Sequence, residues 1–231
     1  MKFRCRCAHA VHLVAQGYPR EKICPIYYGY DAAAFPLRAG PPPPECPPVV
    51  VMHGSFDAHH LGRIALDAIR TVVRARPETT FRFVGRRTAG LEKFLRAAQT
   101  IPSFRFEATG FTPYAEVSRQ LASANVGMVP YEESAGTHCA FVAKLVEYAA
   151  TGLPSVVTPL KSVHDYFKHD PLVKFSAFDG KDFGRQVLAW LNAPTAHWLP
   201  QAAATAARVK TELDWQPLCA KAVDFAERVC R

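Results

Sequence analysis

Short apolar runs, each about the length of one β-strand, recur along the chain after residue 48. They are rich in Val, Phe and Met and are bounded by Gly or Pro, a pattern typical of strands buried on both faces of a sheet. The predicted strands are residues 49–52, 80–84, 104–108, 126–129 and 154–158.

Between these runs, apolar residues recur every three or four positions, which indicates amphipathic helices. Pro113 is expected to open one helix as its first-turn proline, and Gly152 to close another in the C′ position. The predicted helices are residues 63–76, 91–99, 114–123 and 141–151, with a mostly helical remainder from residue 180 onward that ends in a helix at 216–229. Alternating strands and helices form βαβ units, so the sequence predicts an α/β, Rossmann-like, doubly wound parallel sheet with C-terminal helices.

The proline-rich segment 41–48 divides the chain. Proline lacks a backbone N–H and fixes φ, which excludes a helix or a central strand there and indicates a stiff linker. Residues 1–40, with one possible helix at 8–16, are too few to bury a core of their own. The expected organisation is therefore an N-terminal segment 1–40, a linker 41–48, an α/β domain 49–212 and a C-terminal helix 213–231.

Composition excludes several classes of protein. No apolar run approaches the length of about 18 residues that suggests a membrane span, and the basic N-terminus lacks the apolar core of a signal peptide. We expect a cytoplasmic protein. The formal charge of +8 suits an anionic partner such as a nucleoside diphosphate or an anionic membrane surface, but no block of basic residues indicates nucleic acid.

The seven cysteines are odd in number and scattered, which fits reduced thiols better than a disulfide framework. Cys5 and Cys7 could form half of a metal site, but no second Cys or His pair has ligand spacing. No metal and no cofactor are expected.

Ligands of doubly wound sheets bind outside the carboxyl ends of the strands, so the loops after residues 52, 84, 108 and 129 are the expected binding loops. A helix that begins near Phe141 would direct its free N–H groups into that crevice, where phosphate is favoured. Lys144 and Glu147 share one face of this helix. The ammonium could meet a phosphate and the carboxylate could accept hydrogen bonds from two ribose hydroxyls; the alternative is a solvated Lys–Glu pair.

The run 144–158, KLVEYAATGLPSVVT, resembles the donor-site segment of the group 1 glycosyltransferases, in the variant that reads KLFEYMAxGxPVV. Residues 17–23 followed by Gly29-Tyr30-Asp31 resemble the interdomain run GxPxxKI…GxD of that family. The loop 53–57 resembles the first loop of its donor domain. The resemblance covers the chain from about residue 17 to the C-terminus.

The resemblance implies the nucleotide-sugar-binding half of a two-domain GT-B enzyme. Residues 1–40 would be the end of the acceptor domain, and the final helix would cross back toward that domain. The implied reaction transfers a sugar, with retention of configuration, from a nucleoside diphosphate sugar to an unknown acceptor hydroxyl, in cell-surface glycan synthesis. Peripheral contact with the inner face of the membrane is a further expectation.

The candidate donor-binding residues lie in the expected binding loops and at the start of the 141–151 helix; they are Gly54, Ser55, Arg86, Phe111, Ala140, Phe141, Lys144 and Glu147. Arg86, or its neighbour Arg87, could supply charge to the diphosphate, and Phe111 could face the base or belong to the core. The family's acidic residue eight positions before the helix glutamate is Cys139 here, which puts that sugar contact in doubt. No catalytic residue is assigned, and His53 could enter the crevice or be a structural histidine.

Two other functions stay open. Cys139 and the short N-terminal segment would suit a non-catalytic nucleotide-sugar-binding module, or a remnant that needs a partner acceptor domain. An epimerase of the same architecture would need acid and base carboxylates, and none can be placed. The C-terminal helix carries an apolar stripe, Trp215, Leu218, Ala222, Phe225 and Val229, which could pack on the chain itself or mediate association with another chain.

Overall fold

The computed structural model describes residues 8–229. Its centre is a parallel sheet of six strands in the order β3-β2-β1-β4-β5-β6. The strands are β1 (Val49–His53), β2 (Thr80–Val84), β3 (Arg105–Ala108), β4 (Val126–Val129), β5 (Ser155–Val157) and β6 (Val173–Phe175). The predicted α/β, doubly wound class is confirmed.

Helices cover both faces of the sheet. They are α1 (Ala8–Ala15), α2 (Arg63–Ala75), α3 (Ala89–Ala98), α4 (Tyr114–Ala122), α5 (Ala135–Cys139), α6 (Ala143–Ala150), α7 (Lys161–Phe167), α8 (Gly180–Leu191), α9 (Thr195–Leu213) and α10 (Trp215–Val229), with a short 3₁₀ turn at Arg20–Lys22. Gly152 has a positive φ of 70° directly after the C-cap of α6, as predicted. Pro113 is the N-cap of α4 and not its first-turn residue, because its ψ of 143° is extended.

Alternate side chains of each strand enter different cores. Val50 and Met52 pack with Phe81 and Phe83 on one face of the sheet. Val51, between them, packs with Val129 on the other face. Because successive side chains of a strand point to opposite faces, an apolar run without alternation requires both faces to be covered, and helices cover both.

The N-terminal segment packs on the same domain. Tyr30 and Phe35 are buried in the core cluster that contains Val51, and the buried guanidinium of Arg38 donates to the Ala124 carbonyl at 2.7 Å. The Tyr30 backbone N–H donates to the Leu213 carbonyl at 3.0 Å. Residues before the linker therefore contribute to the core of the α/β domain, and the division at residues 40 and 48 stays a prediction.

The C-terminal helix α10 packs on this segment through part of its apolar stripe. Leu218 is buried, and the space beside Gly29 is filled by Leu218 and the Trp215 ring. Trp215 is nevertheless 40% exposed, and Val229 is 43% exposed. Val223, which lies outside the stripe, is 55% exposed. The stripe is thus partly covered by the chain itself, and association through its exposed part stays a prediction. Within residues 8–229, no helix has the length and hydropathy needed to cross a bilayer.

Candidate functional site

A cleft of about 730 Å³ opens at the carboxyl ends of β1, β2 and β4. The strand order reverses between β1 and β4. The loops after these two strands leave the sheet in opposite directions, so a crevice forms between them. All of the predicted binding residues line this cleft: Gly54, Ser55, Arg86, Phe111, Ala140, Phe141, Lys144 and Glu147.

Two glycines let the first two loops approach each other at the floor of the cleft. The Gly54 N–H donates to the Val84 carbonyl at 2.9 Å, which holds the end of β1 against the end of β2. Gly54 and Gly85 have φ values of 96° and 147°, which other residues rarely adopt. A Cβ on Gly85 would lie 2.3 Å from the Gly54 carbonyl oxygen. Only glycine fits there.

The N-terminus of α6 faces the cleft without a side-chain cap. Its N-cap residue, Val142, has an extended backbone and makes no capping hydrogen bond, and Ala140 to Ala143 line the cleft. The helix begins two residues later than the predicted 141, because the backbone of its N-cap residue Val142 is extended. The Phe141 ring packs in an aromatic cluster with Tyr27 at 4.5 Å and Tyr166 at 5.6 Å between ring centroids. Uncapped N–H groups at a helix N-terminus favour an anion.

Lys144, in the first turn of α6, places a buried ammonium in the cleft. The residue is only 6% exposed, and Nζ has no hydrogen-bond partner among the described residues. It lies over the Tyr131 ring, 5.2 Å from the centroid. Burial lowers the pKa of Lys144 to about 8, although the Asp57 and Glu147 carboxylates oppose that decrease. A buried ammonium is costly unless it is paired, so this position favours an anionic ligand.

Glu147 lies one turn further along α6 and is also buried. Its Oε2 pairs with Nε2 of His53, the last residue of β1, and its Oε1 accepts a hydrogen bond of 3.0 Å from the Tyr114 hydroxyl. The predicted alternative, a solvated Lys–Glu pair, is therefore wrong. Burial and the carboxylate of Glu147 raise the pKa of Tyr114, so its hydroxyl remains a donor.

The rim of the cleft carries an exposed aromatic ring. Phe111 is 69% exposed, so the alternative that it belongs to the core is wrong. The Arg86 guanidinium lies 5.3 Å from the centroid of its ring. Arg87, considered beside Arg86, instead pairs with Glu92 at 2.6 Å on the outer surface. Arg86 is thus the arginine that remains available to a ligand at this rim.

His60 lies near Lys144 in the cleft and carries no positive charge at neutral pH. It lines the cleft, with Nδ1 2.8 Å from Asp57 Oδ1 and its ring centroid 4.5 Å from that of Tyr131. Burial, followed by the charge of Lys144, lowers the pKa of His60 to about 4. The imidazole is therefore neutral at neutral pH, and Lys144 supplies the buried positive charge of this part of the cleft.

The neighbours His138 and Cys139 form no nucleophile–base pair in the structure. The His138 ring lies 3.3 Å from Glu133 and packs edge-on against Phe178. Cys139 ends the short helix α5 and is half-buried. Cys5 and Cys7 lie outside the described residues; within residues 8–229, no cluster of His, Cys, Asp and Glu could hold a metal ion.

Several side chains of the cleft are absent from the predicted binding residues; they include His60, Tyr114 and Tyr131. Tyr114 is the first residue of α4 and directly follows the loop after β3, one of the predicted binding loops. This position in the sequence could have identified Tyr114 as a residue of the cleft. Its partner Glu147 is 33 residues away in the sequence. Proximity over such a separation is a property of the fold and not of the local pattern.

Comparison with known proteins identifies relatives of this fold. A family model described as "Glycosyl transferases group 1" matches residues 47–192, more than half of the chain. The search of curated proteins found no match.

Solved structures share the fold at low sequence identity. HepE of Anabaena, in complex with UDP and glucose, has a TM-score of 0.68 and 16% identity, over 96% of this chain and 61% of that one. Sucrose-phosphate synthase of Thermosynechococcus elongatus has a TM-score of 0.69 and 15% identity, over 87% and 51%. The catalytic domain of cholesterol-α-glucosyltransferase from Helicobacter pylori has a TM-score of 0.56 and 15% identity, over 71% and 98%. This chain thus spans less than two thirds of the length of the first two.

Proposed function

The chain belongs to the group 1 glycosyltransferases, and on that premise we propose that its cleft binds a nucleoside diphosphate sugar as the donor half of a sugar transferase. The observation that carries this proposal is the buried ammonium of Lys144, at the N-terminus of α6, for which residues 8–229 provide neither a hydrogen-bond acceptor nor a side-chain cap. A diphosphate fits this site. It would accept hydrogen bonds from the ammonium and from the free backbone N–H groups together.

The other cleft residues fit the remaining parts of such a ligand. Glu147, one helical turn from Lys144, can accept hydrogen bonds from ribose hydroxyls beside the diphosphate. Phe111, exposed at the rim, offers a face for the base, and Arg86 adds positive charge nearby. The glycine at position 54 leaves room for the ligand beside Lys144, since a Cβ there would lie 3.8 Å from Nζ.

In the transfer reaction, the bond between the anomeric carbon and the diphosphate breaks as an acceptor hydroxyl bonds to that carbon, and the hydroxyl proton passes to the departing diphosphate or to solvent. Negative charge develops on the departing diphosphate. Lys144 and the N-terminus of α6 would stabilise that charge, and this preorganised stabilisation is the contribution that the cleft makes to the chemistry. Alignment of the acceptor hydroxyl with the anomeric carbon would lower the activation barrier further, by on the order of 7 kcal/mol for well-aligned groups.

We place the protein in the cytoplasm, in cell-surface glycan synthesis, with peripheral contact to the inner face of the membrane. The formal charge of +8 supports contact with an anionic surface.

A non-catalytic nucleotide-sugar-binding module is the second candidate. One observation favours it: Cys139 stands where the resembled family has an acidic residue that contacts the sugar. Such a module would bind the sugar donor through the same cleft and would act together with a partner that holds the acceptor.

The test separates binding from turnover. The chain is titrated with a set of nucleoside diphosphate sugars by calorimetry, and hydrolysis and transfer to candidate acceptors are assayed separately. We expect at least one nucleotide sugar to bind, with transfer by this chain alone slow or absent. Binding without any turnover, even with a partner chain, selects the module; absence of binding to every nucleotide sugar contradicts both candidates.

A further inference from the structure

Both carboxylate oxygens of Glu147 already have partners within the chain. His53 contacts Oε2 and Tyr114 donates to Oε1. A carboxylate has about four acceptor positions, so each oxygen retains one for a ligand. The two side chains come from different elements, from the end of β1 and the start of α4.

These contacts restrict the orientation of the carboxylate. The terminal torsion of a glutamate side chain is broad, so a free carboxylate must be ordered when a ligand binds. His53 is buried at the end of a central strand, and its ring packs edge-on against Tyr148 at 5.1 Å between centroids. The Tyr114 ring packs edge-on against buried Phe35 at 4.9 Å. His53 is therefore held by packing before any ligand arrives, whereas Tyr114, 48% exposed, is held by its contact with Phe35 and by its hydrogen bond to Glu147.

We propose that Tyr114 is a positioning residue which, with His53, fixes the Glu147 carboxylate so that its remaining lone pairs meet both ribose hydroxyls of a nucleotide. Tyr114 thereby sets the preference of the cleft for ribonucleotides over nucleotides that lack these hydroxyls. The inference rests on the proposed nucleotide function and adds to it the residue that makes Glu147 selective. A ligand without the hydroxyls gains nothing from the fixed carboxylate.

The Tyr114→Phe variant isolates this role because it removes one oxygen atom and retains the ring that packs on Phe35. Dissociation constants are measured for three probes: UDP, its 2′,3′-dideoxy analogue, and inorganic pyrophosphate. ADP or GDP, with its dideoxy analogue, replaces UDP if it binds more tightly. Tyr18→Phe is the matched control, since Tyr18 is exposed and lies outside the cleft.

We expect Tyr114→Phe to weaken binding of the ribonucleotide by about fivefold, because a carboxylate held at only one oxygen must be ordered when the ligand binds, and ordering one side chain costs an amount of that order. Affinity for the dideoxy analogue and for pyrophosphate should stay within about twofold of the wild type, and Tyr18→Phe should change none of the three. The preference for ribonucleotides therefore falls in one variant alone.

Each other outcome overturns the inference. Equal losses for all three probes would show that Tyr114 only supports the structure of the cleft. Unchanged or tighter binding of the ribonucleotide would show that its hydroxyl is dispensable or competes with the ligand. In these cases the wild type still binds nucleotides and the proposed function stands, whereas a wild type that binds no nucleotide contradicts both.

Discussion

The substitution Lys144→Met should make the free protein more stable near neutral pH while removing its affinity for diphosphates. Met retains the unbranched stem of Lys144 beside Tyr131 but not the charge. Burial lowers the pKa of the ammonium from 10.5 to about 8. At about 1.4 kcal/mol per pKa unit, the charged form destabilises the folded state by about 3 kcal/mol.

The sign of the pH dependence follows from which state loses its proton first. At about pH 6, Lys144 is protonated in both the folded and the unfolded chain, and the full cost is present. Between pH about 8 and 10.5 the folded chain has lost the proton and the unfolded chain has not, so stability rises with pH. Diphosphate binding needs the ammonium and should therefore weaken above about pH 8, by up to about tenfold per pH unit. Between about pH 8 and 10.5, Lys144 thus makes the stability of the folded protein rise with pH and its affinity for diphosphate fall.

The assay is urea unfolding and pyrophosphate titration of wild type and Lys144→Met at about pH 6 and about pH 10. The variant should be more stable by about 3 kcal/mol at the lower pH, with the difference narrowing at the higher pH, and should bind pyrophosphate at neither. Lys93→Met, an exposed lysine on α3, should change neither quantity. A variant less stable than the wild type at about pH 6, or one that still binds pyrophosphate, would refute the assignment of Lys144 as an unpaired buried cation of the anion site.

Three other substitutions test separate parts of the structure. Glu147→Ala should weaken nucleotide binding at least about tenfold, because hydrogen bonds to a charged group contribute about 1.5 to 3 kcal/mol; calorimetry on the folded variant checks it, and an unchanged dissociation constant removes Glu147 from the site. Gly85→Ala should destabilise the protein by about 2 kcal/mol or more, because its Cβ would lie 2.3 Å from the Gly54 carbonyl oxygen; Gly40→Ala, with no atom within 4 Å, is the control in thermal unfolding. Leu218→Ala should lower the free energy of unfolding by about 2 to 3 kcal/mol, whereas Val223→Ala, at an exposed position, should change it by no more than about 0.5 kcal/mol. Equal losses in urea unfolding would mean that α10 does not pack as described.

The sequence predicts the central elements well because their patterns are local. The apolar runs of β1, β2 and β4 and the glycine after α6 carry their own signals. No element is predicted between residues 158 and 180, where α7 and β6 lie. β6 has three residues with Lys174 in the middle, too short a run for a period to be read.

Among the binding residues, too, proximity could be predicted from the sequence only where it is local. Lys144 and Glu147 share a helix, so their proximity can be predicted from spacing alone. His53 and Glu147 are 94 residues apart, and their contact depends on the sheet that brings the end of β1 beside α6. The aromatic cluster around Phe141 likewise contains residues from distant segments, Tyr27 and Tyr166.

The most direct test of the proposed function is a crystal structure of the chain with the nucleotide sugar that binds most tightly. We expect the diphosphate at the N-terminus of α6, within hydrogen-bond distance of Lys144 Nζ, and the ribose hydroxyls on the Glu147 carboxylate. A nucleotide bound outside this cleft, or one in it whose diphosphate makes no contact with Lys144, would contradict the proposed function.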